Sequence, residues 1–320
     1  MRTPTYWKDR NLTSDILLPL GKLYALATAL RLKWQHPKHA SVPVICIGNL
    51  TAGGSGKTPT ALSLARMLLD KGKKPFFVSR GYGGKLTGVR VDPARHTAAE
   101  VGDEPLLLSR LAPVIVNPDR YAAAQMAVKE GADVIIMDDG FQNPGLYKDL
   151  SLLVFDGSFG FGNGRPVPAG PLRENLAAGL KRAQGIIVIG NDDCNLSALA
   201  PDLPHFHGRV IATPLKQAPT EVIAFAGIGR PQKFYDSLRQ CGLNPLKTHD
   251  FPDHHFYTRA ELEAILQEAT ELQAPVYTTT KDFVKIPAEL QKSFNVLEID
   301  IAWENPEKLQ TFILKKAGLL

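Results

Sequence analysis

The sequence predicts an α/β protein with a mainly parallel sheet flanked by helices, a second and smaller α/β domain, and an amphipathic helix at its N-terminus. Three observations lead there. Short apolar runs rich in Val and Ile alternate with helix-patterned segments. One of these runs feeds a glycine-rich turn that opens a helix. A stretch rich in Asp, Asn, Pro and His, from 191 to 208, then loosens the pattern before a second alternating set begins.

In the first set, strands are expected at 42–47, 75–79, 114–116, 134–137, 152–155 and 186–189. Helices are expected at 58–71, 104–111, 120–130 and 173–180, with Gly72 and Gly131 as stops. The second set holds strands at 221–226, 276–279 and 296–299, and helices at 231–241, 258–271 and 306–317. The expected division is an N-terminal segment at 1–40, a main domain at 41–208 and a smaller domain at 209–320 that closes over a cleft.

The glycine-rich turn carries the most chemistry. The run Val44-Ile45-Cys46-Ile47-Gly48-Asn49-Leu50 leads into Thr51-Ala52-Gly53-Gly54-Ser55-Gly56-Lys57-Thr58-Pro59. Glycines let backbone amides turn toward phosphate oxygens, and the following helix adds its positive dipole end. Lys57 reaches the outer phosphates and the Thr58 hydroxyl suits Mg²⁺. Pro59, at the first helical position, loses no hydrogen bond there. The string departs from the strict GxxxxGKT pattern, which would place glycine where Thr51 stands, and fits the GGxGKT variant. Thr51, Ala52, Gly53, Gly54, Ser55, Gly56, Lys57 and Thr58 are the candidate nucleotide-binding residues of what reads as a P-loop NTPase-like fold.

Composition bounds the partners. The 320 residues are 44% apolar and 22% charged, as in ordinary globular proteins. Three cysteines, Cys46, Cys194 and Cys241, lie far apart without CxxC spacing, which fits neither a disulfide framework nor a structural zinc. The formal net charge is +5. Residues 1–40 hold seven basic side chains against Asp9 and Asp15 and so account for all of it. The body of the chain is balanced, which argues against a nucleic-acid groove.

That basic end also carries Tyr6, Trp7, Tyr24 and Trp34 around the apolar run 16–34. Lys22 and Arg31 interrupt the run short of the ~20 residues a spanning helix needs. Aromatic and basic flanks suit a helix lying in the membrane interface against anionic lipid. The alternative is a helix packed on the protein's own core with its cations snorkelling.

Other candidates are weaker singly. The strand Val134-Ile135-Ile136-Met137 ends in Asp138-Asp139-Gly140-Phe141-Gln142, and acids at a strand's carboxyl end beside a phosphate loop can hold Mg²⁺ opposite Thr58. Which carboxylate touches the ion is open. Gly102-Asp103-Glu104-Pro105 opens a helix, where Asp103 also reads as an N-cap. Asp253-His254-His255 lies in a loop, and Arg80-Gly81-Tyr82-Gly83-Gly84 and 160–164 are glycine-rich loops able to approach a ligand.

Taken together, and with 161–164, Pro168-Ala169-Gly170-Pro171-Leu172-Arg173-Glu174, Ala226-Gly227-Ile228-Gly229 and Thr280-Lys281-Asp282 following in order, these motifs resemble the tetraacyldisaccharide 4′-kinase (lipid A 4′-kinase) family over nearly the whole chain. The resemblance implies a cytoplasmic enzyme attached peripherally to the inner membrane of Gram-negative bacteria. It would use ATP and Mg²⁺ to phosphorylate the 4′-hydroxyl of a tetraacylated glucosamine disaccharide 1-phosphate. It implies two α/β units bridged by a short β linker, with the site between them. By the same resemblance Asp103 is the base toward the sugar hydroxyl, assisted by His254. Arg80, Tyr82, Glu104, Arg120, Gln142 and Arg173, in or next to the matched motifs, become candidates for binding substrate. One departure is Asn143, where the family often has His, so position 143 is left outside the catalytic set.

Two other readings compete. A GTPase or metal-insertion ATPase of the GGxGKT class commonly has a lysine before its Gly-Gly pair, where this chain has Ala52. Its guanine-reading NKxD pattern is missing, since Thr280-Lys281-Asp282-Phe283 places Asp one residue early. A non-catalytic membrane adaptor that holds ATP as a structural ligand would have no use for the Asp103 and His254 motifs.

Overall fold

The computed structural model describes residues 4–213 and 220–320. Residues 1–3 of the expected N-terminal segment and 214–219 of the expected smaller domain lie outside them. In chain order, helix α1 (Leu12–Trp34) precedes β1 (Val44–Gly48), α2 (Lys57–Leu69), β2 (Pro75–Ser79), β3 (Val89–Arg90), α3 (Ala98–Val101) and α4 (Asp103–Leu108). Then come β4 (Val114–Val116), α5 (Arg120–Lys129), β5 (Val134–Asp138), β6 (Leu150–Asp156), α6 (Leu176–Leu180), β7 (Gly185–Ile189), α7 (Leu196–Leu199) and β8 (His205–Ala212). The remainder is β9 (Glu221–Ala226), α8 (Pro231–Gln240), β10 (Asn244–Asp250), α9 (Arg259–Glu271), β11 (Val276–Thr279), α10 (Thr280–Phe283), β12 (Phe294–Leu297), β13 (Ile299–Trp303) and α11 (Pro306–Lys316).

Nine strands form one sheet in the order β13-β8-β7-β6-β1-β5-β2-β4-β3, parallel except at the two edges, where β13 and β3 run antiparallel. The strand period of two sorts their side chains. Ile45 and Ile47 of β1 join Ile136 and Val154 under α2, whereas Val44 and Cys46 join Ile135 and Phe155 under α5. A second, all-parallel sheet, β10-β9-β11-β12, is likewise covered on both faces. Val222 and Ala224 pack with Phe234 and Leu238 of α8, and Ile223 and Phe225 with Leu262 and Ile265 of α9. Both sheets match the expected α/β class.

Several expectations are corrected. The 191–208 stretch is not only a joiner, since it holds α7 and the first part of β8, a strand of the large sheet. The expected strand at 296–299 is two strands, β12 in the small sheet and β13 in the large one. The chain thus returns to the first unit: Ile301, Leu309 and Ile313 lie in the core with Leu64 and Leu68 of α2, and Trp303 Nε1 donates to Ser63 Oγ at 2.9 Å. A boundary at 208/209 falls inside β8 and puts β13 of the large sheet on the far side, while the small sheet lies wholly beyond it. The expected helix at 173–180 begins only at Leu176, because Asn175 caps it and Arg173 is held in extended pairing.

Helix α1 is inside out as globular helices go. Its buried positions are Ser14, Gly21 and Thr28, seven residues apart on one stripe. Leu12, Ile16, Leu20, Leu23, Leu30 and Trp34 form the exposed stripe, and Leu12 and Trp34 are about three-quarters exposed (75% and 74%). Gly21 is required by close approach, since a Cβ there would sit 2.7 Å from the Pro166 carbonyl oxygen. Arg165 Nη1 donates to Ser14 Oγ at 3.0 Å, and Trp7 Nε1 to the Pro168 carbonyl at 3.0 Å. The alternative of a helix whose apolar side packs on the core is overturned. No described helix is long and apolar enough to cross a membrane.

Candidate active site

The phosphate loop leaves the carboxyl end of β1, which is flanked in the large sheet by β5 and β6. Ligands of such sheets bind at this edge. Gly53 and Gly56 take φ of 121° and 87°, open only to glycine without strain, and added Cβ atoms at Gly53 and Gly54 would meet nothing within 4 Å. Among the described residues, no protein acceptor takes the amides of Gly53, Gly54, Ser55, Gly56, Lys57 or Thr58. A row of free amides at a helix N-terminus is an anion cradle. Pro59 is the third helical residue, still among positions with no intrahelical acceptor.

The loop is held from behind. The Asn49 amide donates to the Thr51 carbonyl at 2.6 Å and to Ser55 Oγ at 3.1 Å. Ala52 N donates to the Pro171 carbonyl and Arg173 N to the Leu50 carbonyl, each at 2.7 Å. Thr51 and Ala52 are therefore pinned to the 166–173 segment, and the Ala52 amide is not free for a phosphate. Gln142, expected on the substrate, instead donates to the Asn49 carbonyl at 2.9 Å and to the buried Glu174 at 3.0 Å. Its amide supports the loop. Asn143 caps a turn, accepting from the amides of Gly145 and Leu146.

Two carboxylates meet the loop at the end of β5. Thr58 Oγ1 donates to Asp138 Oδ2 at 3.2 Å, while the buried Asp138 Oδ1 has no partner. Burial, with Glu104 and Asp139 nearby, pushes the Asp138 carboxyl up to about 7. An orphaned carboxylate oxygen beside a threonine hydroxyl fits a divalent cation completed by phosphate oxygens. Asp139 sits at φ 50°, a left-handed conformation, and turns the other way. Its Oδ1 accepts from Arg173 Nη1 at 2.8 Å and lies 3.8 Å from Lys57 Nζ. Burial raises its proton affinity, but Lys57 and Arg173 more than offset this and hold it below the ordinary range.

Asp103 and His254 lie 151 residues apart in sequence and meet across the two units. Asp103 is the first residue of α4 and 5% exposed. Gly102, at φ 92°, is the cap, so Asp103 is not the N-cap that the sequence allowed. His254 Nδ1 lies 3.0 Å from Asp103 Oδ2 and 3.2 Å from Oδ1. Burial alone would raise the Asp103 pKa, yet the His254 hydrogen bond and Lys281 bring it below the usual carboxylate value. The same bond raises the His254 pKa, against burial and Lys281. The edge of Tyr82, itself exposed, packs on His254 with centroids 5.5 Å apart. Tyr82 is placed there because Gly81 and Gly102 let their two loops touch: a Cβ on Gly102 would lie 2.7 Å from the Tyr82 carbonyl.

Arg120 is buried at the start of α5, donating from Nη1 to the Asn117 carbonyl at 2.8 Å, with Nε unpartnered. Burial and the neighbouring Arg80 bring its pKa down to about 10. Arg80 is exposed beside it. Glu104 lies between the two clusters, 3.4 Å from Lys281 Nζ and close enough to raise the Asp138 pKa.

Sequence reasoning missed Asp156, Arg230 and Lys281. Asp156, at the carboxyl end of β6, accepts from Arg230 Nη1 at 2.7 Å and Lys233 Nζ at 2.5 Å, both from the second unit. Asp156, Phe159, Gly229, Arg230 and Asp253 share a narrow cleft with the loop at 51–55. An acid ending an apolar strand next to the loop strand was the available signal for Asp156. Nothing in the sequence pairs it with Arg230.

The chain matches the sequence model of the family described as tetraacyldisaccharide-1-P 4′-kinase over residues 13–318. It is 49% identical to the tetraacyldisaccharide 4′-kinase of Rhodospirillum centenum, over 98% of this chain and 96% of that one. Identity to that of Paramagnetospirillum magneticum is 48%, over 97% of each. A crystal structure of LpxK from Aquifex aeolicus in complex with ATP superposes with a TM-score of 0.75 at 29% identity, covering 95% of this chain and 99% of that one.

Proposed function

Since the chain belongs to the tetraacyldisaccharide-1-P 4′-kinase family, we propose that Asp103 takes the proton from the 4′-hydroxyl of a tetraacyl disaccharide 1-phosphate while the loop ending in Lys57 and Thr58 holds the γ-phosphate of ATP. The enzyme is an ATP-dependent kinase of a lipid A precursor. The observation that carries the residue assignment is the Asp103–His254 contact, formed by two units, with the adjoining Asp253 lining the phosphate loop's cleft.

In the step, the sugar O–H bond breaks and its proton passes to an Asp103 oxygen. The alcohol oxygen bonds to the γ-phosphorus as the bond to the β,γ-bridging oxygen breaks, and ADP leaves. Asp103 is kept ionised by its neighbours and is ready to accept as the hydroxyl loses electron density. The free amides of 53–58 and the Lys57 ammonium stabilise charge on the transferring group. Thr58 and Asp138 would hold Mg²⁺, which would supply Lewis-acid neutralisation of phosphate charge. Asp139 orients Lys57 and Arg173. Arg80, Tyr82 and Arg120, around the dyad and the carboxylates, would bind the anionic sugar substrate, a reading supported by the packing of Tyr82 on His254 and the closeness of Arg80 to Arg120.

The GTPase reading is not favoured. Lys281 and Asp282, the residues nearest to a guanine-reading motif, face Asp103 and the Gly227 amide. For the lipid partner, the exposed stripe of α1 with Lys22, Arg31 and Lys33 on the same helix supports a peripheral seat on the cytoplasmic face of the inner membrane. Asp103→Ala tests the main assignment: transfer from ATP to the disaccharide should fall by at least about 10²-fold, with ATP binding largely kept. Wild-type turnover in that variant would remove Asp103 from the role.

A further inference from the structure

We propose that Lys281 is a positioning residue for this pair: its ammonium donates to His254 Nε2 and fixes the imidazole as the neutral Nδ1–H form, which donates to Asp103. The inference rests on the Asp103–His254 reading and adds a third member from the start of α10.

Lys281 Nζ lies 3.3 Å from His254 Nε2, 3.4 Å from Glu104 Oε1, 3.5 Å from Asp253 Oδ1 and 3.8 Å from Asp103 Oδ2. An ammonium has three donors and no acceptor. The ring nitrogen facing it therefore accepts, and the single ring proton sits on Nδ1, 3.0 Å from Asp103 Oδ2. The other tautomer would set N–H against N–H₃⁺ and leave Nδ1 as a lone pair against a carboxylate. An imidazolium would satisfy Asp103 but still oppose Lys281.

The ammonium itself is secure. Burial lowers its proton affinity, but Glu104, Asp103 and Asp253 more than offset this. The surrounding charges are Asp103 and Glu104 from α4, Asp253 from the 251–258 loop, and Lys285 beyond α10, which is fully buried against Asp282. The exposed Tyr82 ring closes the remaining side. Asp103 and Asp253 draw a second proton toward His254 and Lys281 opposes it; in its neutral form the imidazole orients the carboxylate without neutralising it as an ion pair.

The consequence has a sign. Protonating His254 ties Asp103 to an imidazolium and weakens it as a base, so kcat/KM falls on the acid side. Without Lys281 the imidazole keeps its second proton to higher pH. In Lys281→Met the acid limb of the kcat/KM profile should therefore move up, with an additional loss of roughly threefold or more at pH 6 relative to pH 8. Lys281→Arg should return the limb toward its wild-type place. A uniform loss at all pH values, with the limb unmoved, would make Lys281 only a tether between the units.

Nitrogen-15 spectra of the His254 ring in the wild-type enzyme provide a readout that needs neither turnover nor a folded variant. A bare Nε2 and a protonated Nδ1 at pH 8 are expected, and a protonated Nε2 would overturn the proposal. Asp103→Ala separates the two readings, because retained transfer there would refute the base assignment while leaving the tautomer result to judge Lys281.

Discussion

The side chains of Asp282 and Lys285 are both wholly buried, and their ion pair of 2.7 Å holds together the ground on which Lys281 stands. Asp282 also accepts from Tyr257 OH at 2.9 Å, Thr279 Oγ1 at 2.7 Å and the Gly227 amide at 3.0 Å. One carboxylate thereby ties the Ala226-Gly227 turn, the end of β11 and α10 into a single block. The Lys285 ammonium lies over the Tyr257 ring, 5.1 Å from its centroid. Asp282→Asn keeps the shape but strands the lysine charge in the interior. Such losses run to about 3–5 kcal/mol, and urea titration of the variant should show a midpoint lowered accordingly. Adding Lys285→Met should recover part of the loss, because the orphaned charge goes with it. A double variant no more stable than the single one would mean that the carboxylate's hydrogen bonds, and not the stranded charge, set the loss.

Helix α1 shows how an element's role can be legible while its orientation is not. Its aromatic and basic flanks are plain in the sequence, but which stripe turns inward depends on Pro166 and Ala169, more than a hundred residues away. Small side chains at Ser14, Gly21 and Thr28 let the helix backbone approach that loop, and this leaves the leucines outside. If the exposed stripe is the lipid-facing one, Leu20→Glu with Leu23→Glu should lower partition onto anionic vesicles by about tenfold or more, at about 1–2 kcal/mol per lost apolar contact. Thermal stability should stay within about 0.5 kcal/mol, since both side chains are more than half exposed (56% and 63%). Unchanged partition would refute the interfacial seat. The strands divide on similar grounds. β5 and β6 are buried along their whole length and read as near-continuous apolar runs ending in Asp, with Ser151 the one polar residue inside them. β10 escapes notice because it is a largely exposed edge strand, Asn-Pro-Leu-Lys-Thr-His-Asp. β13 is visible only in part, since nothing local tells Ile299 to leave one sheet for the other.

The two units carry largely separate cores, bridged beside α10 by Val284, which packs on the first core, and the polar contacts between them near the cleft are Asp103 with His254 and Lys281, Glu104 with Lys281, and Asp156 with Arg230 and Lys233. The motifs on each side were legible because phosphate and proton chemistry restrict residue choice within a few positions. Their pairing across 74 to 177 residues was not, because no local period records it. Polar contacts between units of this kind permit relative motion and are screened by salt when partly exposed. Arg230 and Lys233 keep side-chain exposures of 33% and 58%, whereas Asp156 is at 7%, so the carboxylate is the common anchor of both pairs. Asp156→Asn should loosen the second unit's hold on the cleft and lower turnover about three- to tenfold at low salt, the equivalent of about 0.7–1.4 kcal/mol. Raising NaCl toward ~0.5 M should slow the wild-type enzyme in the same way. It should slow the variant less, because the contact that salt weakens is already gone. Turnover at saturating ATP, followed against NaCl for both proteins, checks this. Parallel salt slopes would show that the Asp156 pairs do not set how the units meet, and would leave that task to the contacts of Asp103, Glu104, His254 and Lys281 and to the packing of Val284.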